Sequence, residues 1–242
     1  PALEKEITGN ELYNTTFKLL RKGRSPGNDG LTVGFYRHFW KELYPFLTRS
    51  LREGAETGLL STSQRQTVIR LIKKKGKDPS NIKNWRPISL INVDAKILSR
   101  SLTERLKSNI KDLIGNEQLA FIPGRQMAEG NRLINYLIER LERSGDHGII
   151  ASFDLAKAFD TISHHFLFNL LPKYGLPQKY IQLVKLLYAG AETAVLNNSR
   201  TTKFFPLGRS CRQGDPISPY LFILAFEPLI RKLVQSEDIV GL

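Results

Sequence analysis

One cysteine among 242 residues, Cys211, excludes an internal disulfide framework and any zinc cluster built on cysteine within this chain. Histidine is scarce too. His164 and His165 are adjacent and no further histidine stands at a metal-ligand spacing, which argues against a site of three or four converging imidazoles. No apolar run approaches the roughly 18–20 residues that span a bilayer, so no membrane partner is expected. The first residues, Pro1 to Glu6, are mixed and charged, unlike a secretory leader. With no methionine ahead of Pro1, the chain is expected to be cut from a longer protein. There is no internal repeat and no low-complexity tract.

What is present is an ordinary globular composition with an uneven charge. Hydrophobic residues make up 41% and charged residues 24%, enough for one large domain or two lobes sharing a core. Lysine and arginine number 36 against 23 acidic residues, a formal net charge of +13. Residues 65–107 hold twelve of the basic residues and only Asp78, Asp94 and Glu104 against them. Such a concentration suits a polyanion, most simply nucleic acid. It also reads as a solvated face that aids solubility.

The chain alternates helical and strand-like patterns. Residues 4–22 predict a helix with Leu12, Phe17, Leu19 and Leu20 on its apolar side, ended by Gly23. Ser25-Pro26-Gly27-Asn28-Asp29-Gly30 is a dense turn cluster, and residues 32–54 return to helical spacing. Gln66 to Ile72 and Arg86 to Ile91 predict a hairpin around the lysine loop 73–77. Asp94 is the expected N-cap of a helix to about Lys111, and a further helix covers Ala128 to Glu142. Ile149 to Phe153 reads as a short buried strand. Helices are expected at 163–171 and 177–188, then a hairpin of 191–196 with 203–205 around Asn197-Asn198. The last helix should run from Pro216 to about Gln235. Strand pairs mixed with helices favour an α+β fold.

Three stretches carry chemistry. In Phe153-Asp154-Leu155-Ala156-Lys157-Ala158-Phe159-Asp160, an apolar strand ends in a carboxylate that could hold a hard cation through oxygen. Asp154 equally reads as the cap of a following helix. In Arg212-Gln213-Gly214-Asp215-Pro216-Ile217-Ser218-Pro219, a polar loop leads into an apolar helix, and Gly214 lets the backbone approach a ligand. An ordinary helix start reads the same way. Asn84-Trp85-Arg86-Pro87-Ile88, behind Lys73-Lys74-Lys75, places a forked guanidinium beside ammonium groups, which suits phosphates.

In this order the stretches resemble the motifs of reverse transcriptases from LINE-type, non-LTR retroelements. Residues 25–30 resemble the N-terminal motif shared with group II intron enzymes. Trp85-Arg86-Pro87-Ile88-Ser89-Leu90 and Asn92-Val93-Asp94-Ala95-Lys96-Ile97-Leu98 resemble the fingers motif in its LINE form. Gln118-Leu119-Ala120-Phe121-Ile122-Pro123-Gly124-Arg125 resembles the next motif, and residues 153–160 and 212–219 the first two palm motifs. The resemblance covers roughly residues 20–235. It implies right-hand polymerase fingers with an incomplete palm, helices packed on antiparallel strands. Residues 1–130 would form the fingers and 131–242 the palm, with 165–210 returning to the fingers.

The resemblance also implies roles. Asp154 would bind both catalytic Mg²⁺ ions, joined by the backbone carbonyl of Leu155. Such ions activate the primer hydroxyl and stabilise the leaving pyrophosphate. Phe159 would exclude a ribose 2′ hydroxyl by its bulk, unless it simply packs in the core. Gln213 and Gly214 would shape the pocket of the incoming nucleotide, with Arg86 on its base and phosphates and Lys73 as companion, Lys74 and Lys75 competing for that place. Arg100, Arg105, Lys107 and Arg125 would touch template phosphates without reading sequence. The implied partners are an RNA template, a DNA primer or RNA–DNA hybrid, and dNTPs. The implied setting is intracellular, in the nucleus or a cytoplasmic ribonucleoprotein of a eukaryote.

The chain also departs from that pattern. The third palm motif is an aromatic-Ala-Asp-Asp turn, and no Asp-Asp pair occurs anywhere in the sequence. Ile239 to Leu242 reads as the strand leading toward it, and the thumb is missing as well. A single carboxylate holds two divalent ions poorly, so the chain alone is expected not to polymerise DNA. Position 215 is Asp where many LINE enzymes carry Cys. The competing readings are a non-catalytic RNA-binding module and a group II intron maturase or reverse transcriptase.

Overall fold

The computed structural model describes residues 3–145 and 147–237, so the expected strand at 239–242 lies outside the described residues. The first helix, α1 (Gly9–Asn14), is shorter than the expected span 4–22 and continues as a π-helical turn, Thr15–Leu19. Thr8 caps it in a reciprocal box with Glu11. The chain ahead of Thr8 stays non-helical because Arg105 takes the carbonyls of Lys5 and Glu6 at 2.6 and 2.7 Å, the acceptors a longer helix would need. The span expected as one helix from 32 to 54 divides at Phe39 into α2 (Val33–His38) and α3 (Trp40–Thr57). A single turn, α4 (Thr62–Arg65), then leads into the sheet.

The basic hairpin forms as expected. Strand β1 (Gln66–Lys73) pairs antiparallel with β2 (Trp85–Ile91), with Arg70 opposite Ile88 and Lys73 opposite Trp85. Strand β3 (Glu192–Asn197) joins β1 on its other side in parallel, Val68 opposite Ala194. The sheet is therefore mixed, not built of antiparallel strands alone. A parallel partner needs a crossover, and the chain between β1 and β3 supplies it. Two short strands, β4 (Arg200–Thr201) and β5 (Phe205–Pro206), fold back on β3. The turn between β3 and β4 is Asn198-Ser199, both with positive φ (48° and 61°), one residue later than expected. Residues with φ above zero at both central positions suit the twist of a tight hairpin.

Helix α5 (Val93–Lys107) runs through the core. Its cap position is Asn92, not Asp94. Ile97, Leu98, Leu102 and Leu106 are buried along it, and so are Ser99, Ser101 and Thr103. The buried hydroxyls are paired locally: Thr103 donates to the Ser99 carbonyl at 2.7 Å, and Ser101 meets Thr15 at 2.8 Å. After the turn α6 (Ile110–Leu113), the long helix α7 (Met127–Ser144) follows. Beyond it come α8 (Ala158–Thr161), α9 (His164–Leu170), α10 (Gln178–Leu186) and α11 (Ser218–Val234). Leu167, Tyr180, Ile181, Val184, Leu221 and Leu224 from the last three complete the core around α5. The Tyr180 hydroxyl donates to the Leu102 carbonyl at 3.0 Å.

One expectation fails outright. Residues 149–153 form no strand, and Ile149 and Phe153 are 95% and 89% exposed. A strand needs a hydrogen-bonded neighbour, and no described segment pairs with this one. Helix α7 shares its condition. It has a strongly apolar face, yet none of its residues is buried, and Met127, Leu133 and Tyr136 stand open to solvent.

Candidate functional site

The turn carrying Gln213 is the best-supported part of the site. Just upstream, Ser210 donates to the Ile162 carbonyl and Cys211 to the Phe159 carbonyl, both at 2.8 Å. Residues 209–211 are thus laced along the chain that follows Asp154. On the other side, the Ser89 N–H donates to the Gln213 carbonyl at 2.9 Å. Strand β2 is an edge strand, so its free backbone groups are available for this contact. Gly214 has φ +105°, and a Cβ there would lie 2.9 Å from the Ser89 carbonyl oxygen. Only glycine fits so close to another backbone. The Gln213 side chain donates to Asp160 at 3.4 Å.

Phe159 is half-buried and stacks on Phe222 at 4.9 Å between ring centres. The ring therefore packs against the core while keeping an open side. Asp154 and Leu155 lie on the exposed stretch, apart from this packing, and Leu155 is 44% exposed. Asp154 does not cap α8; that position is Lys157, in the left-handed region.

A groove of about 740 Å³ opens beside the turn. Arg21, Arg24, Arg70, Lys73 and Lys96 line it, over an apolar floor that includes Ile88, Leu90 and Val93, and Gly214 forms part of its wall. Burial pushes the Lys96 amine down, while Asp215 and Asp29 pull it back up. Arg21 and Arg24 were not among the residues expected at the site. Their signal in the sequence is only their place, just before the turn cluster at 25–30. That cluster docks on the start of α5: a Cβ on Gly27 would lie 2.0 Å from Asn92 Oδ1, and the Asp29 N–H donates to the same oxygen at 3.3 Å.

The structure separates several residues that the sequence grouped. Lys73 faces Trp85 and Arg86 faces Ile72 across the hairpin, so the two-residue alternation directs Lys73 and Arg86 to opposite sides of the sheet. Lys74 is spent inside the hairpin, its ammonium on the Lys83 carbonyl at 3.0 Å. Arg105 is a correction to the expected phosphate contacts. It is buried, paired with Glu11 at 2.6 Å and bound to two carbonyls, which turns it inward and away from any phosphate in the groove. Burial pushes the Glu11 carboxyl up, but Arg105 and Thr8 together hold it below its usual range. Arg125 is committed likewise, to the carbonyls of Gly115, Gln118 and Ile114. Arg100 pairs with Glu104 at 2.8 Å, and Lys107 lies 4.0 Å from the same carboxylate.

The edge strand of a basic hairpin is thus bonded to a Gln-Gly turn. The family model described as reverse transcriptase (RNA-dependent DNA polymerase) matches residues 72–240, and the chain belongs to that family. A Xenopus laevis relative, the transposon TX1 uncharacterized 149 kDa protein, is 38% identical over 228 residues, covering 94% of this chain and 17% of its own length. The Pol polyprotein of the type-2 retrotransposable element R2DM of Drosophila melanogaster is 31% identical over 150 residues, covering 62% of this chain and 14% of its own. The RNA-directed DNA polymerase of the Drosophila melanogaster mobile element jockey is 25% identical over 219 residues, covering 89% and 24%. The chain thus spans less than a fifth of the length of the first two.

The family generally uses divalent metal ions. Among the described residues no group of three or more His, Cys, Asp or Glu side chains is placed to hold one. Among the described residues no helix is long and apolar enough to cross a membrane.

Proposed function

We propose that this chain is the nucleotide-binding fingers and part of the palm of an RNA-directed DNA polymerase that copies retroelement RNA. The observation that carries this reading is the bond between Ser89 on the basic hairpin and the Gln213 carbonyl, which brings motifs 124 residues apart into one wall. Residues 1–130 act as the fingers and 131–242 as an incomplete palm. Within the latter, 165–210 returns to the fingers, consistent with the pairing of β3 on β1.

In this reading Gln213 and Gly214 shape the pocket for a dNTP, and the open side of Phe159 excludes a 2′ hydroxyl. Arg86 grips the nucleotide from one side of the hairpin. Lys73 lines the neighbouring groove with Arg21, Arg24 and Arg70, where an RNA template or RNA–DNA hybrid lies along its backbone. Asp154 and the Leu155 carbonyl contribute two ligands of a Mg²⁺ site whose other carboxylates are not among the described residues. The setting is the nucleus or a cytoplasmic ribonucleoprotein, as suits a mobile-element polymerase of a eukaryote.

Filter binding of an RNA–DNA hybrid over a salt series tests the groove. Five phosphate contacts predict a log–log slope of about −4, and Arg21→Gln with Arg24→Gln should make it shallower by about 2. Affinity that does not change with salt would remove the reading.

A further inference from the structure

Beneath the Gln213 turn lies a buried ion pair that the reading above leaves unused. Arg212 and Asp215 flank Gln213-Gly214, and each is only 3% exposed. Arg212 Nη2 lies 2.9 Å from Asp215 Oδ2. The Ser99 hydroxyl on α5 donates to Asp215 Oδ1. The Arg212 guanidinium rests 5.2 Å over the ring of the buried Tyr188.

A buried ion pair is a poor way to gain stability. Desolvating both charges costs several kcal/mol, and apolar residues of like volume often do better. Here the guanidinium is also incompletely satisfied, since Arg212 Nε and Nη1 meet no acceptor among the described residues. The pair must therefore be understood through its geometry. The Asp215 N–H also donates to the Arg212 carbonyl at 3.1 Å, so the four-residue turn is closed twice, through backbone and through side chains. Ser99 ties the closed turn to the core helix. Opening the turn would move the Gln213 carbonyl away from Ser89 and its amide away from Asp160.

We propose that Arg212, Asp215 and Ser99 are positioning residues that hold Gln213 in register with strand β2, so that dNTP affinity depends on a buried ion pair that touches no nucleotide. The proposal rests on the reading of Gln213 as a nucleotide contact. Lys96, attracted by both Asp215 and Asp29, extends the same charge network toward the N-terminal turn.

The test is a double-mutant cycle on dNTP dissociation constants, measured in the full-length protein on a dideoxy-terminated primer–template, where no chemistry follows. Asp215→Asn is expected to weaken dNTP binding about tenfold, because the turn that holds Gln213 loses its side-chain closure. Gln213→Ala should do the same, and the double variant should be no weaker than Gln213→Ala alone, because both changes act through one side chain. Additive losses would overturn the proposal. Should Asp215→Asn fail to fold, Arg212→Met with Asp215→Leu replaces the pair by apolar groups. If that variant folds with wild-type dNTP affinity, the proposal is wrong; if it folds with affinity about tenfold weaker, the proposal holds. A Gln213→Ala variant with unchanged affinity sinks the nucleotide reading and the proposal with it. Weakening by Gln213→Ala alone, with both changes at the pair neutral, removes the proposal and spares the reading.

Discussion

The turn at 211–216 and the stretch at 149–157 carry two halves of one expected site, and they are built in opposite ways. The turn is closed by backbone, ion pair and a bond from β2, and its flanks are buried. The Asp154 stretch has no strand partner among the described residues and stands in solvent, and the apolar face of α7 is equally uncovered. The difference is that a turn can be satisfied by side chains and one neighbouring edge, whereas a buried strand needs a sheet on either side. The turn is thus held by the described residues themselves, while the Asp154 stretch has no backbone partner among them.

The largest test of this contrast is catalytic. The 242-residue chain, given an RNA template, a DNA primer, dNTPs and Mg²⁺, should show no primer extension on a sequencing gel. Clear extension would mean that Asp154 finds its partners within this chain. Next in size is packing. Leu102→Ala, in the fully buried centre of α5, should cost about 3 kcal/mol in urea unfolding. Leu133→Ala, on the open face of α7, should stay within about 0.5 kcal/mol. Similar losses at the two positions would erase the comparison.

A smaller effect concerns pH. Burial first, and Asp29 second, push the Asp94 carboxyl up to about 6, against the pull of the Ala95 N–H. Unfolded, the group ionises near the ordinary value of about 3.9. Between those values the folded chain holds a proton that the unfolded chain lacks. Asp94 therefore makes stability fall as pH rises from about 4 to about 6, by up to about 3 kcal/mol, and flat above. Asp94→Asn should be more stable relative to wild type at pH 7 than at pH 4.5. An equal difference at both pH values in urea unfolding would show that Asp94 is not buried in this way.

Much of this was legible in order along the chain. The hairpin of β1 and β2 follows from β-branched residues around a lysine loop, and α5 from its apolar spacing. The motifs pointed to Gln213 and Gly214, and the close approach to Ser89 supplies the reason for the glycine. The failures have a common cause. Asp94 looked like a cap by residue type, but Asn92 stands at the boundary and holds both Asp29 and Ser63. Residues 149–153 have the composition of a buried strand, and composition does not provide a partner. Arg105 and Arg125 looked like free cations because nothing local shows that carbonyls from distant or folded-back segments consume them.

The sequence by itself determined the kind of elements, the order of the motifs and the excess of positive charge near the hairpin. These depend on periodicity, turn chemistry and residue type, which act within a few positions. Only the tertiary structure decided that β3 runs parallel to β1, which cations remain open in the groove, and that Arg212 and Asp215 are sealed beneath Gln213. Burial and pairing depend on segments up to 173 residues apart, as where Lys179 meets Glu6, and no local pattern encodes which of them will meet.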